Sequence, residues 1–128
     1  MKNWSIHFYF DENFDWKIFE KAFEETFELV KGEKKLLPED EQQVVVKYEL
    51  NLREIRNGKK PIGFYSDQTD LSIIFPTDRK EMIISRLSPS ENIHEIGEKI
   101  GKILKSKKIK FKADYDKMLL INVLKEKR

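Results

Sequence analysis

Two histidines, four groups of carboxylates and one stripe of lysines are the residues of this chain that could do chemistry. His7 and His94 have no local ligand spacing such as His-x-x-x-His. A metal site would need both to converge with Asp67, Asp70, Asp114 or Asp116. Their plainer reading is one surface histidine on each of two elements, and no metal is expected. The carboxylates fall at Asp11/Glu12, Glu39/Asp40/Glu41, Asp67/Asp70 and Asp114/Asp116. General acid–base work needs two carboxyls in different environments within a cleft. These pairs lie in expected turns, where acidic residues are common for turn reasons alone. There is no Gly-x-Ser-x-Gly elbow, and glycines at 32, 58, 63, 97 and 101 build no phosphate cradle. With no cysteine, thiolate metal sites, disulfides and cysteine nucleophiles are excluded. The expectation is a non-enzymatic protein without a cofactor.

Two charged features carry more weight. Glu20, Glu24 and Glu28 recur at i, i+4, i+8 on one helix face. Like charges at that spacing cost a helix a few tenths of a kcal/mol per pair, roughly. Lys17, Lys21 and Lys31 offset part of that, so the column reads either as a solvated face or as an acidic ridge for a basic partner. Lys108, Lys110 and Lys112 share one side of one strand, with Lys99, Lys102 and Lys105 nearby, and phosphate backbones attract such stripes. Net charge is +2 but divided. Residues 11–41 hold eleven acids and five bases, a net of −6, and residues 99–128 hold eleven bases and three acids, a net of +8.

The elements that position these groups follow from hydrophobic period. Nine of fifteen aromatics lie in the first 27 residues. Trp4, Ile6, Phe8 and Phe10 alternate with Ser5, His7 and Tyr9, a strand with one buried face. Trp16, Phe19, Phe23, Phe27 and Val30 step by three and four, and with Ile18, Ala22, Thr26 and Leu29 they make a broad helical stripe. This helix should run from about Phe14 or Asp15 to Lys31, with Asp15 or Asn13 able to cap it and Gly32 as its stop. Residues 33–42 read as a loop. Val44, Val46, Tyr48, Leu50 and Leu52 alternate, predicting a long strand, and Asn57-Gly58 predicts a type I′ hairpin turn returning through Ile62 and Phe64. Further strands are predicted at Leu71–Phe75, Met82–Leu87, Ile109–Tyr115 and Met118–Leu124. A second helix should be opened by Ser88-Pro89-Ser90-Glu91, with Ile93, Ile96, Ile100, Ile103 and Leu104 buried and Gly97 and Gly101 flanking them.

The fold expected is α+β, one domain over residues 1–128, in the order β-α-β-β-β-β-α-β-β. It would have a mostly antiparallel sheet of five to seven strands with two helices on one face. The other face would be open, carrying Ser5, His7, Tyr9, Lys47, Glu49, Asn51, Arg53, Lys108, Lys110 and Lys112. A chain of this length buries enough surface for a real core. At 38% charged and 39% hydrophobic it suits a soluble domain. No run spans a bilayer and no signal-peptide core follows Met1, so the expected location is cytoplasmic and no membrane partner is expected.

The β-α-β-β order with aromatics in strand one is similar to that of RNA-recognition modules, which implies single-stranded RNA or DNA as partner. Those modules stack bases on open-face aromatics, whereas Trp4, Phe8 and Phe10 share a face with Ile6. Only Tyr9 and Tyr65 are left to stack, and Ile62-Gly63-Phe64-Tyr65 fits the basic-Gly-aromatic-Gly pattern poorly. The leading expectation is therefore a small immunity- or antitoxin-like protein that masks a basic toxin domain, such as a nuclease, through Glu20, Glu24, Glu28, His7 and Tyr9. The alternative is a nucleic-acid-binding domain using Lys108, Lys110 and Lys112. A third reading is a small-ligand pocket near Gly97, Gly101 and His94.

Overall fold

A computed structural model of the chain describes residues 3–32, 38–64, 71–77, 79–90 and 92–115. Strand β1 (Asn3–Phe10) leads through a 3-10 turn (Trp16–Phe19) into helix α1 (Glu20–Gly32). Helix α2 (Pro38–Arg56), strands β2 (Leu71–Ile74) and β3 (Glu81–Ser90), helix α3 (Asn92–Ser106) and strand β4 (Phe111–Tyr115) follow. The sheet is antiparallel with order β2-β3-β1-β4. Without α2, this is the connectivity of a split β-α-β domain. The α+β class holds, but the described residues form four strands and three helices where five to seven strands and two helices were expected.

Strand one and the aromatic helix follow the reading by period. Ile6, Phe8 and Phe10 are buried on the helix side of the sheet, in register with Ile84 and Met82 of β3. Asp15 accepts the Lys17 amide at 2.9 Å and caps the 3-10 turn. Phe10, Phe14, Trp16, Phe19 and Phe75 then meet mostly edge to face, at centroid distances of 4.4–6.0 Å. Such pairs add about 0.5–1.5 kcal/mol each beyond the area they bury. Trp4 and Ile18 do not join this core, although the pattern placed them there; they are 45% and 55% exposed.

The largest correction is α2. Residues 44–53 are helix, not strand, and the helix begins at Pro38 inside the expected loop. Val44, Leu52 and Ile55 are buried and Tyr48 half-buried, a stripe at i, i+4, i+8, i+11. Tyr48 lies 6.2 Å from Phe23 and 5.1 Å from Phe27, so α2 packs on α1. Asn57-Gly58 is consequently a helix stop. Lys59 N–H donates to Glu54 C=O at 2.8 Å and Gly58 N–H to Ile55 C=O at 2.9 Å, a Schellman pair, with Gly58 at φ 74°. A type I′ turn and a Schellman stop both need positive φ, and the dipeptide alone does not separate them. Instead of a returning strand, Phe64 makes one isolated bridge to Ile73.

The start of α3 also differs. Ser88, Pro89 and Ser90 belong to β3, which stays paired with β1 as far as Asn3↔Ser90 beyond a register shift, and α3 opens at Asn92. Its buried stripe Ile93, Ile96, Ile100 and Leu104 is as expected, with Ile103 half-buried. The expected strand at 118–124 and the residues Tyr65, Asp67, Asp70 and Asp116 lie outside the described residues.

Candidate functional site

Three surfaces and one interior cluster collect the polar and unpartnered groups. The cluster lies on the sheet face opposite α1 and α3. Cross-strand register sets His7 beside Ile83 and Asp114, Tyr9 beside Glu81 and Lys112, and Ser5 beside Ser85. The His7 ring is within 3.0 Å of Ser5 Oγ at Nε2 and 3.2 Å of Glu81 Oε2 at Nδ1. With the proton on Nδ1, the ring donates to Glu81 and accepts from the Ser5 hydroxyl. This is the connectivity of a Ser-His-Glu relay. Ser5 and His7 are 0% exposed and Glu81 is 1% exposed, so a substrate has no path to the hydroxyl. Ser5 also sits within strand β1, beside its register shift, rather than on a sharp turn.

The expectation that His7 lies on an open face is therefore corrected: the polar side of β1 is buried. Its polarity is satisfied internally, which a buried imidazole requires. Tyr9 is half-buried, stacked at 6.3 Å on His7. Burial raises its phenol pKa above the ordinary 10.0, with Glu81 and then Asp114 adding to the rise and Arg79 opposing it. Lys47, Glu49, Asn51 and Arg53, also expected on the open face, are on α2. Asn51 there is buried and clamps Gly63: its Nδ2 donates to Gly63 C=O at 2.9 Å and its Oδ1 accepts the Gly63 amide at 2.7 Å.

The acidic column does lie along α1, but it faces α2. Arg56 Nε and Nη2 donate to the two carboxylate oxygens of Glu20 at 3.1 and 3.3 Å, which raises the guanidinium pKa. Glu24 lies against Tyr48, whose pKa is raised by burial and then by Glu24, Glu28 and Glu49. Glu28 remains exposed. The column is thus partly an α1–α2 seam.

The second surface is apolar and on α2. Val45 (59% exposed), Val46 (57%), Leu50 (37%) and Ile62 (59%) stand outward. A groove of about 330 Å³ runs between Leu50 and Ile62, bounded by Lys47, Asn51 and Gly63. The strand reading hid this patch by assigning Val46 and Leu50 to the core. Ile55 was the available signal, because it falls on the polar phase of the strand alternation but on the buried stripe of a helix.

The third surface surrounds β4. Lys108 occupies the C′ position of the α3 stop at φ 60°, with Ile109 N–H donating to Leu104 C=O at 3.0 Å. Lys110 and Lys112 are exposed beside Tyr9 and, with Asp11 and Glu12, bound a groove of about 390 Å³. On the other side of β4, a groove of about 290 Å³ lies between the strand and α3, lined by Gly97, Gly101, Phe111, Ala113 and Tyr115. His94 stacks on Tyr115 at 4.2 Å beside it. Among the described residues no three His, Asp or Glu side chains converge as a metal site, and no helix is long and apolar enough to cross a membrane. No protein-family model, curated protein or solved structure matches the chain, so its geometry alone carries the functional reading.

Proposed function

We propose that this chain is a non-enzymatic protein-binding module, in its specific form an immunity- or antitoxin-like protein that neutralises a basic toxin domain by covering its surface. The observation that carries the reading is the exposed apolar stripe Val46, Leu50 and Ile62 set in an acidic helical layer. Helices α1 and α2 together hold nine acids and five bases, a net of −4. Interfaces centre on apolar groups, and surrounding charge of one sign speeds and orients encounter with the opposite sign. The contact surface proposed shifts from the Glu20, Glu24 and Glu28 column towards α2. Tyr9 and His7, on strand β1, lie outside it.

Affinity capture with the wild-type chain and with Val46→Asp/Leu50→Asp tests the reading. A basic protein should be retained by the first and not by the second, and its toxicity on expression should be relieved by the wild-type chain alone. Equal capture by both baits, or capture without relief, refutes it. The nucleic-acid alternative draws support from Lys110, Lys112 and Tyr9 around one groove. It predicts salt-dependent oligonucleotide binding that drops when Lys108, Lys110 and Lys112 are neutralised.

A further inference from the structure

The two faces of β4 differ in kind. Phe111, Ala113 and Tyr115 point to the helix side, where Phe111 meets Phe8 at 5.6 Å. Lys112 and Asp114 alternate with them and point to the far side, and Lys110, just before the strand, lies with Lys112 beside Tyr9. β4 is at the end of the sheet, and among the described residues nothing pairs with its outer edge. Alternate residues there direct amide and carbonyl groups away from β1.

The helix side of β4 is only partly covered. A Cβ on Gly97 would lie 2.5 Å from Ile6 Cδ1 and 3.2 Å from the Tyr115 hydroxyl, and one on Gly101 3.4 Å from Phe111 Cζ, so α3 lies close over β1 and over the two rings of β4, with Ala113 between them. Ala113 is exposed although its cross-strand neighbour Phe8 is fully buried. The groove has an apolar floor, and Lys102, Lys105 and one acid, Glu98, border it on the α3 side. From α3 through β4 the chain carries seven lysines and three acids, a net of +4.

Edge lysines commonly serve only to discourage pairing between sheets. Here they occupy one face, while the groove side presents two rings and a methyl group. Such an edge still accepts a strand that is apolar on one face and acidic on the other. We propose that the β4 edge and the α3–β4 groove bind an extended acidic peptide as a fifth strand. Its alternate apolar side chains lie over Ala113 between Phe111 and Tyr115, and its intervening carboxylates meet Lys110 and Lys112. Main-chain pairing supplies affinity in this mode and alternate side chains supply specificity. Nucleic acid fits less well, since it cannot pair with a strand edge and Phe111 and Phe8 are committed to the core. The inference is independent of the α2 surface, which has the opposite charge.

A fluorescent peptide of about seven residues, alternating Glu and Val, spans the five residues of β4 with one to spare at each end. It should bind the full chain in an anisotropy titration, weaken with added salt, and slow amide exchange across residues 111–115. Lys110→Glu/Lys112→Glu should cost about tenfold or more in Kd and admit the alternating Lys and Val peptide instead. Ala113→Phe should abolish binding by filling the groove; if it fails to fold, the exposed Lys110/Lys112 pair still decides. No binding of the Glu and Val peptide up to about 1 mM refutes the proposal. So does a Kd unmoved by these variants, outer-edge β4 amides already protected without peptide, or binding of oligouridylate in place of the peptide.

Discussion

Replacing His7 with leucine removes the middle of a buried chain of three groups. Ser5 Oγ loses its partner at 3.0 Å and Glu81 Oε2 loses its partner at 3.2 Å, both with essentially no access to water. Losing one hydrogen bond of a buried hydroxyl costs about 0.5–1.5 kcal/mol, and breaking a buried ionisable pair about 3–5. Added leucine burial offsets part of this, so a net loss of about 3–5 kcal/mol is expected. Glu81→Leu leaves the His7 ring and the Arg79 guanidinium, 3.7 Å from Glu81 Oε1, without that carboxylate, at about 2–3 kcal/mol. The double variant removes both members of the pair and takes from Ser5 only its bond to the ring. Its cost should fall below the sum of the singles by about 2 kcal/mol, a coupling typical of groups sharing one network. Urea unfolding of the four chains closes the cycle, and His7→Leu should lower Tm by very roughly 10–20 °C. Additivity within about 0.5 kcal/mol would refute the claim that the two side chains act as a unit. A cost below about 1 kcal/mol for His7→Leu would show that the imidazole is not sealed in the fold.

Lys108 holds a left-handed conformation that favours glycine, so Lys108→Gly should raise stability by about 0.5–1 kcal/mol in urea unfolding, whereas Gly58→Ala should lower it by about 1. Asn51→Ala should cost about 2–3 kcal/mol, because the Gly63 amide and carbonyl both lose their side-chain partner while Gly63 stays fixed at φ 103°. Tyr9, Tyr48 and Tyr115 each have a phenol pKa raised, chiefly by burial, above 10.0. The fold thus favours the protonated phenols. Their contribution is complete below about pH 10 and is lost as pH rises through the higher folded values. Tm should fall on that alkaline side, and Tyr9→Phe should flatten the fall.

How much of this was legible depended on whether one period or two fitted a segment. In residues 4–10 the apolar groups recur only every second position, and β1 follows. Residues 44–52 admit both periods, because Val44, Tyr48 and Leu52 are multiples of four apart and so fit a strand and a helix equally. Three successive valines favoured the strand, but Ile55 fits only the helix. The first turn of α2 was also readable: Pro38 followed by three acids is a helix start. Partners distant in sequence were not readable at all. Glu81 reaches His7 across 74 residues and Arg56 reaches Glu20 across 36. Alternation correctly set Ser5, His7 and Tyr9 on one face, yet polarity along a strand does not determine exposure when the opposing strand supplies the compensating group.

Helix placement also sets which two surfaces stay open, and these are the surfaces proposed for partners. A helix covers its neighbours only where its own small or apolar residues let it approach. Tyr48 and Leu52 turn α2 towards α1, so Val46 and Leu50, two and six residues beyond Val44, are rotated into solvent. Gly97 and Gly101 let α3 descend onto Ile6, Tyr115 and Phe111, Ala113 between the two rings stays exposed, and among the described residues nothing pairs with the outer edge of β4. Both openings follow from helix placement over a fixed sheet. Charge then separates them: the α1–α2 layer is net −4 and the α3–β4 region net +4. A single partner of uniform charge therefore cannot favour both, and the two binding experiments should divide along that line, with opposite responses to charge reversal.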